Sequence, residues 1–474
     1  MSNIFFKRAF LAGVSILLSA TMILTAQTKT EYFMRTSYMR TYLNPALTPE
    51  QGQLVVPVLP NIGAGVQTNT INLDHLTFSK NGERVTFLHP LVSDGEFLDG
   101  IKKNNYINTN VNYKIFALGL YLGDRYTNFD IGFRTSVDVN LPKSVFELLK
   151  VGFDQDNDLA YNLSDLSANA LSFVEIGAAQ SRNFLDKTLV VGARVKLLLG
   201  GGYFDLDAKS LEIEADQKRW RALSHVTLKG AAPGAKAKYD DEGMINGFDF
   251  SWEGIPGYGV GLDIGAVYDM RKAVPVLNGL TVSAALNDIG FIHWNKKNSL
   301  SLSSSGDPVI VEPTAIYDKE ENNSLSDVLE NAFDDLKQAV NLKEELSGSK
   351  ARSTSLRVNM NLGAEYEFIK NKLSAGALYS ARFGNYSTWH EFTVSGNYRP
   401  YYWLGASLSY SAVHSAFDTF GFALHLAPQK GITFFVASDY AMPHVSTQFV
   451  PTSSKGVNLQ MGFSIPIGKP AREI

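Results

Sequence analysis

The stretch "NFDIGFRTSVDVN", residues 128–140, decides the fold of this chain. Phe129, Ile131, Phe133, Val137 and Val139 share one parity, and the other parity carries polar and charged residues. Because successive side chains of a β-strand point to opposite faces, one face of this segment is apolar and the other is polar. Such a strand fits either the half-buried sheet of a soluble protein or the wall of a membrane barrel.

The same alternation recurs in about 14 segments, and many of them approach the ~9–11 residues that a tilted strand needs to cross a bilayer. The clearest is "SLRVNMNLGAEYEF", residues 355–368. In residues 108–122 the phase changes near Ile115 and Phe116, which predicts a β-bulge. The remaining segments are residues 62–69, 172–180, 189–199, 258–269, 280–288, 373–383, 391–399, 402–411, 419–427, 432–440 and 457–467.

The connections between these segments alternate between long and short. Residues 70–107, 141–171, 200–257 and 289–354 are long connections, whereas residues 123–127, 181–188, 270–279 and 369–372 are short ones. Bacterial barrels have short periplasmic turns and longer extracellular loops. We therefore predict an all-β protein, a transmembrane antiparallel β-barrel of about 14 strands over residues 61–467, with the long connections extracellular and residues 468–474 as a periplasmic tail. A soluble β-sandwich or propeller is the alternative, but it has no reason to keep this rhythm.

The first residues predict export from the cytoplasm. Lys7 and Arg8 precede an apolar run from Ala9 to about Leu24, and small residues follow at Thr25 and Ala26. This is the layout of a cleaved signal peptide over residues 1–26, with a retained membrane helix as the alternative. After it, no apolar run approaches the ~20 residues of a spanning helix, so the barrel itself would place the protein in the outer membrane.

Composition narrows the function further. The 474 residues include no cysteine, which excludes disulfides, thiol catalysis and a lipid anchor on an N-terminal cysteine. The formal net charge is −4 and no basic tract occurs, so nucleic acid is not an expected partner. No linker of biased composition divides the chain into domains.

If the apolar parity faces lipid, the other parity faces the lumen and supplies charges of both signs. Glu175 would come close to Arg194 and Lys196 across a tight turn. These charges either pair and fill the interior or line a path for a solute. The predicted lumen-facing residues are Asp130, Arg134, Asp138, Glu175, Arg194, Lys196, Asp263, Asp269, Arg357, Glu365, Glu367, Glu391 and Arg399.

Three other patterns bear on possible metal binding, partner binding and catalysis. Asp154, Asp156, Asp158 and Asp165 match part of a calcium-loop template, but the template's glycine and its final glutamate are missing, so we expect an acidic surface loop and no metal. Residues 325–342 have helical apolar spacing, which predicts a helix over the barrel mouth or a docking surface for a partner. The eight histidines are scattered, and no cofactor or enzymatic activity is expected.

Four stretches together resemble a Bacteroidota family of outer-membrane barrels of unknown function, which is similar to FadL-like fatty-acid transporters and PorV-like barrels. They are "TYLNPALTPE" (41–50), "GYGVGLDIGAVYD" (257–269), "LTVSAALNDIGFIHW" (280–294) and "HEFTVSGNYRPYYWLGASLSY" (390–410). The resemblance covers nearly the whole chain after the signal segment.

The resemblance implies that residues 27–60 form a plug in the lumen that carries Asn44, Pro45 and Ala46. The two prolines at positions 45 and 49 favour turn and extended structure, which also fits an ordinary turn before the first strand. The resemblance implies passage or binding of a small hydrophobic solute in an outer-membrane lipid environment. The alternative is a PorV-like barrel that transports nothing and anchors or shuttles a surface or envelope protein.

Overall fold

The computed structural model describes residues 28–59, 61–151, 159–215, 220–234, 236–239, 245–249, 254–271, 273–304, 306–311, 340, 342–344, 351–384, 388–441 and 455–468. The predicted signal peptide, residues 1–26, lies outside the described residues, and so do Asp154, Asp156, Asp158 and nearly all of the predicted helix at 325–342. Among the described residues, no helix is long and apolar enough to cross a membrane.

Strands dominate the described chain. In order they are β1 Gly52–Val55, β2 Asn61–Thr68, β3 Thr77–Lys80, β4 Glu83–Thr86, β5 Asn104–Leu122, β6 Arg125–Pro142, β7 Leu159–Asn162, β8 Ser167–Phe184, β9 Leu189–Ala215, β10 Trp220–Ala231, β11 Lys236–Tyr239, β12 Ile245–Asp249, β13 Gly257–Asp269, β14 Leu280–Trp294, β15 Ser299–Ser304, β16 Val309–Val311, β17 Leu342–Glu344, β18 Arg352–Ser355, β19 Asn359–Ile369, β20 Leu373–Phe383, β21 Thr388–Tyr401, β22 Leu404–Val413, β23 Phe417–Leu426, β24 Thr433–Ser438 and β25 Gly456–Ile467. The helices are α1 Arg40–Leu43, α2 Leu73–Leu76, α3 Asp94–Leu98 and α4 Lys143–Val151, with 3-10 turns at Pro275–Leu277 and Lys296–Asn298.

The sheet closes on itself into a barrel of 14 antiparallel wall strands, which confirms the predicted fold class. β1 and β2 together form the first wall strand, because both pair with β5 on one side and with β25 on the other. β18 and β19 together form the eighth, and both pair with β14. The other wall strands are β5, β6, β8, β9, β13, β14, β20, β21, β22, β23, β24 and β25.

The opening stretch lies in β6, the third wall strand. Phe129 is 54% exposed on the outer face, whereas Asp130 is buried on the inner face. The predicted bulge in β5 is confirmed, since the register against β6 shifts between Lys114 and Phe116. A closed sheet has no edge to pair, so its two faces are an outside and a lumen.

The outer face is apolar along the wall. In β13 the exposed side chains are Tyr258, Val260, Leu262 and Ile264, and they alternate with buried positions. Tyrosines cluster on the outer surface near the turn between β21 and β22, at Tyr398, Tyr401 and Tyr402. An apolar band flanked by aromatic residues is what lipid contact requires of a barrel.

The two ends of the barrel differ. At one end, here called the turn end, short connections join neighbouring strands, as between β5 and β6 at Gly123–Asp124. The opposite end, here called the loop end, carries the long connections. All four predicted long-loop ranges were wrong at their boundaries, because a strand extends into each of them: β5 begins at Asn104, β8 begins at Ser167, β9 continues to Ala215 and β14 continues to Trp294.

At the loop end, the chain forms strands and helices within ranges that the sequence analysis described as loops. Beyond Gly200, β9 leaves its pairing with β13 and pairs with β7 and β10, and β10 pairs in turn with β15 and β16. A core around Leu163, Leu211 and Ile213 packs beneath this extension. A second core, around Phe97 and Phe146, joins α3 to α4. The β-branched and aromatic side chains of these segments bury enough apolar surface to order them.

Candidate functional site

The segment before β1 runs through the lumen. Residues 28–50, here called the plug, are almost entirely buried and contact wall strands on several sides of the barrel. The predicted plug range of 27–60 extends too far at its C-terminal end, since Gly52–Val55 form β1 and belong to the wall. The short helix α1 lies within the plug.

Asn44 is the centre of the contact between plug and wall. Its Nδ2 donates to the carbonyl oxygen of Ala284 at 3.2 Å, and its Oδ1 accepts the backbone N–H of Ala46 at 2.9 Å. Pro45 offers its carbonyl oxygen to Ser181 Oγ at 2.5 Å. Asparagine is favoured at the start of a turn because its side chain forms hydrogen bonds with nearby backbone groups. The Asn44 side chain is buried, and its hydrogen bonds supply partners to backbone groups that would otherwise lack them.

Two wall glycines make room for this turn. A Cβ at Gly265 of β13 would lie 2.0 Å from Asn44 Oδ1, and a Cβ at Gly192 of β9 would lie 2.4 Å from the carbonyl carbon of Pro45. Any side chain at either position would overlap the plug. Glycine in a strand often marks the close approach of another backbone, and both positions fit that rule.

Ion pairs between plug and wall use four of the predicted lumen residues. Arg35 contacts Glu367 at 3.1 Å and Glu365 at 3.6 Å. The other pairs are Lys29 with Glu391 and Glu50 with Arg399. In each of these pairs a plug charge meets a wall charge of opposite sign, which selects one position of the plug in the lumen.

One plug carboxyl has no such partner. Glu31 is fully buried and accepts hydrogen bonds from the hydroxyls of Thr28 at 2.9 Å and Ser37 at 3.1 Å. Burial raises its pKa to about 8, and the nearby carboxylate of Asp439 acts in the same direction. The plug therefore holds an acid whose charge is lost on burial near neutral pH.

A second group of charges forms a continuous network on the wall across six consecutive strands, from β5 to β14. Four cations meet four anions there: Lys114, Arg134, Arg194 and Lys196 with Asp130, Glu175, Asp263 and Asp288. All eight lie in wall strands and point inward. Equal numbers of both signs in direct contact give a filled, internally neutral patch.

The geometry within this network differs in detail from the sequence prediction. Glu175 contacts Arg194 at 3.0 Å, but Lys196 contacts Asp263 at 2.5 Å and Asp288 at 2.6 Å instead. β9 and β13 pair with Arg194 directly opposite Asp263, which brings Lys196, two residues further along β9, within reach of the same carboxylate. Cross-strand neighbours of β9 on both sides thus share its cations.

The plug caps this network through an aromatic ring. Lys114 Nζ lies 4.0 Å from the centroid of the Tyr42 ring, and the guanidinium of Arg194 lies 5.1 Å from it. The face of an aromatic ring attracts a cation. Tyr42 therefore couples the position of the plug to the charges of the wall.

The remaining predicted residues lie nearer the two ends. Arg357 contacts Asp138 at 2.5 Å, and Asp269 contacts Arg271 at 3.1 Å in the half-exposed turn after β13. Asp165 uses its backbone N–H to bond the carbonyl oxygen of Ala208 at 3.0 Å. Within the described part of the chain, no group of three or more metal-binding side chains occurs.

Sequence reasoning missed two members of the wall network and all the charged residues of the plug. Lys114 immediately precedes the β5 bulge, which changes the parity of the strand, and Asp288 has a positive φ of 63° at the register shift of β14. Parity counts fail at such irregular positions. Glu31 precedes the first strand, where no periodic pattern marks which face a residue takes.

A cavity of about 170 Å³ lies on the loop-end side of the plug. Aromatic side chains that point into the lumen border it, among them Tyr42, Phe173, Trp389 and Tyr440. Amides are the most frequent uncharged polar groups of the lining: Asn61, Gln67, Asn110, Asn112, Asn287, Asn359, Asn361, Asn458 and Gln460. The wall, the plug and this cavity together are the candidate functional site.

His390 and Glu391, neighbours that could have formed an acid–base pair, point to opposite faces. Glu391 is buried in the lumen and His390 is exposed, with its Nδ1 2.7 Å from the hydroxyl of Tyr379. Successive strand residues cannot share one face, so the two side chains do not act together.

The fold and site define a class of protein: a closed β-barrel with an apolar outer face and an N-terminal segment lodged in its lumen. Residues 45–439 match the model of a family of unknown function, DUF5723, and the chain belongs to that family. Among curated proteins, none matches the sequence.

Solved structures of distant barrels are similar in outline. A deletion mutant of the monoaromatic hydrocarbon channel TodX is 9% identical, with 90% of this chain and 94% of that chain covered and a TM-score of 0.42. The monoaromatic hydrocarbon channel CymD is 9% identical over 94% of this chain and 95% of that chain, with a TM-score of 0.31. The translocator domain of the autotransporter NalP from Neisseria meningitidis is 8% identical over 86% and 88%, with a TM-score of 0.30. These values transfer no function to this chain.

Proposed function

We propose that this protein is an outer-membrane barrel that binds a small solute in its lumen and passes it beyond the plug. The observation that carries the proposal is the cavity between plug and loop end, enclosed by a wall with an apolar outer face. A solute-binding pocket is concave and enclosed, and polar groups that converge on it orient the solute. This cavity is enclosed and has such polar groups.

The orientation follows from the connections. Short turns face the periplasm in bacterial barrels and long connections face outward. By this rule the β9–β10 extension and α4 would lie outside the cell. A solute would enter from the loop end and reach the cavity before it meets the plug. Residues 1–26, as a signal peptide, would deliver the chain to this membrane. The Bacteroidota origin implied by the sequence resemblance stays a prediction.

The plug has the properties of a gate. Asn44 and the ion pairs of Arg35 and Lys29 hold it in the lumen. All of these contacts are polar, and each can be exchanged for water when the plug shifts. The wall network beside Tyr42 keeps the barrel closed and shaped while the plug moves, in agreement with the interpretation of its charges as a paired filling.

The solute implied by the sequence resemblance is small and hydrophobic. The aromatic side chains of the cavity, Tyr42, Phe173 and Trp389, are the observation in its favour. Such a solute would enter from the loop end and contact these rings in the lumen. Outer-membrane lipid would surround the outer face of the barrel.

Purification from native membranes, with mass spectrometry of co-purifying small molecules and protein, tests this function directly. A co-purifying solute, together with uptake of small solutes by liposomes that contain the barrel, would support it. Stoichiometric co-purifying protein with no solute and no uptake would contradict it and favour the anchoring or shuttling function. Deletion of residues 28–50 is the matched control, because it should raise unselective uptake if the plug closes the lumen.

A further inference from the structure

We propose that the lumen cavity binds a neutral, polyhydroxylated solute of monosaccharide size, in place of the hydrophobic solute that the sequence resemblance implies. The inference rests on the proposed function and specifies its substrate class. Three observations carry it: buried polar atoms with no partner, amides as the commonest uncharged polar groups of the lining, and a wall charge network that is already neutral.

Four buried side chains of the lining each have one polar atom without a hydrogen-bond partner in the described structure. One is the Tyr42 hydroxyl, which can donate or accept. The other three atoms are Trp389 Nε1, Gln67 Oε1 and Asn287 Oδ1, and these three residues are 5%, 6% and 5% exposed. A buried polar atom without a partner costs free energy, and native proteins keep few of them. One donor and two acceptors in the lining of one cavity match a ligand that both accepts and donates hydrogen bonds.

The other polar atoms of these side chains are already engaged, which orients them. Asn287 Nδ2 donates to the carbonyl oxygen of Leu43 at 2.8 Å, and Gln67 Nε2 donates to the hydroxyl of Tyr440. The Tyr440 hydroxyl in turn lies 3.1 Å from Glu391 Oε2. Because each amide is fixed at its nitrogen, its oxygen is left for a ligand.

Most charges of the lining are already paired. The wall network contains four cations and four anions in mutual contact, Glu391 pairs with Lys29 of the plug, and Arg357 pairs with Asp138. A charged solute would have to break these pairs to reach their charges, which is costly in a buried site. Arg382 also lines the cavity and lies outside these pairs, so the test below includes an anionic sugar. Hydroxyl groups need no counter-ion, and each can donate to an amide oxygen and accept from an indole N–H.

The size and the aromatic faces agree with this class. A volume of about 170 Å³ holds on the order of ten waters, at ~10–15 Å³ for each, and so a solute of about that many non-hydrogen atoms. The rings of Trp389 and Tyr440 lie in the same lining and offer apolar faces for the C–H side of a sugar ring. A purely hydrophobic solute would leave these orphaned atoms unsatisfied, which selects against it.

The test is saturation-transfer NMR and calorimetric titration of the purified full-length barrel with D-glucose, D-glucuronate and toluene. The decisive variant is Trp389→Phe, which removes the indole N–H and keeps an aromatic ring. Trp403→Phe is the matched control, because Trp403 lies on the outer surface near the β21–β22 turn. A second variant, Gln67→Leu, removes one acceptor, and heat-modifiable migration on gels checks that each variant is folded.

We expect glucose to bind the wild-type barrel and the Trp403→Phe variant alike, and Trp389→Phe to weaken binding about tenfold, the value of one well-placed hydrogen bond. Toluene binding without glucose binding would overturn the solute class and leave the proposed function intact. Glucuronate binding more tightly than glucose would overturn the neutrality of the ligand. If none of the three probes binds and liposomes show no uptake of any solute, the proposed function itself fails.

Discussion

The Asn44 side chain of the plug occupies the space that a side chain at Gly265 of the wall would need: a Cβ on Gly265 would lie 2.0 Å from Asn44 Oδ1. The amide therefore sits against the bare backbone of β13 while its Nδ2 donates to the carbonyl oxygen of Ala284 on β14. This contact fixes how deeply the plug enters the barrel. It also makes the glycine, not the asparagine alone, part of the proposed gate.

Replacement of Gly265 by alanine should displace the plug. The added methyl group meets Asn44 Oδ1 and the Pro45 ring, and both belong to a turn held by several hydrogen bonds. We expect faster uptake of small solutes by reconstituted liposomes and faster proteolysis of residues 28–50. Gly396→Ala is the matched control, because nothing lies within 4 Å of a Cβ there. Equal uptake by both variants would show that this contact does not hold the gate.

Loss of the Lys196 charge should destabilise the barrel. Lys196→Met leaves Asp263 and Asp288 with one cation fewer in a buried network, and breaking one partner of a buried pair costs ~3–5 kcal/mol. Urea unfolding of the barrel, followed by tryptophan fluorescence, measures the change in free energy. Lys209→Met on the same strand, β9, is exposed and should change the free energy little. Similar midpoints for the two variants would refute the structural role of the network.

A charged side chain on the outer face should hinder insertion of the barrel into a membrane. Leu408, 71% exposed at the middle of β22, would place arginine in the hydrocarbon layer, where the cost is ~2–4 kcal/mol near the midplane. We expect Leu408→Arg to insert poorly into lipid vesicles. Val276→Arg lies in the β13–β14 turn, where Val276 is 85% exposed, and should insert normally. Normal insertion of both variants would mean that the apolar face does not meet lipid.

The plug should loosen as pH rises. Folding raises the pKa of Glu31 from 4.5 to about 8, so the folded state holds a proton that the released plug gives up. The stability of the docked plug is therefore highest below about pH 4.5 and falls as pH rises through 8. The groups that face Glu31 are the hydroxyls of Thr28 and Ser37 and the carboxylate of Asp439.

Hydrogen exchange of residues 28–50 between pH 6 and pH 9, corrected for the intrinsic pH dependence, measures this effect. Protection should decline over that interval in the wild type and stay nearly constant in Glu31→Gln, which cannot ionise. A decline of the same size in the variant would assign the pH dependence to another group.

Much of the fold was available in the sequence because a barrel wall obeys a period of two. Parity put Phe129 and Asp130 on opposite faces, the count of alternating segments predicted about 14 strands, and the rhythm of long and short connections indicated a barrel. The phase change at Ile115 even located the bulge of β5. Regular strands repeat one local rule, so local residues suffice to read it.

The contacts of the candidate site were harder to predict from the sequence. Parity indicated that Glu391 and Arg399 point inward, but not that their partners are Lys29 and Glu50 of the plug, more than three hundred residues away. Lys114 and Asp288 were not predicted as lumen residues, because irregular backbone changes the strand parity at both positions. Nothing periodic in residues 28–50 indicates which wall strand each side chain meets.

By itself, the sequence determined an all-β chain with one apolar and one polar face, the order and number of its wall strands, and the residue types available to the lumen. Only the tertiary structure decided which charges pair, how Asn44 and Pro45 enter the space left by Gly265 and Gly192, and which buried atoms of Trp389 and Gln67 remain without partners. The physical reason is that strand parity is local, whereas closure of the barrel and insertion of the plug bring together residues whose separation along the chain carries no signal of their contact.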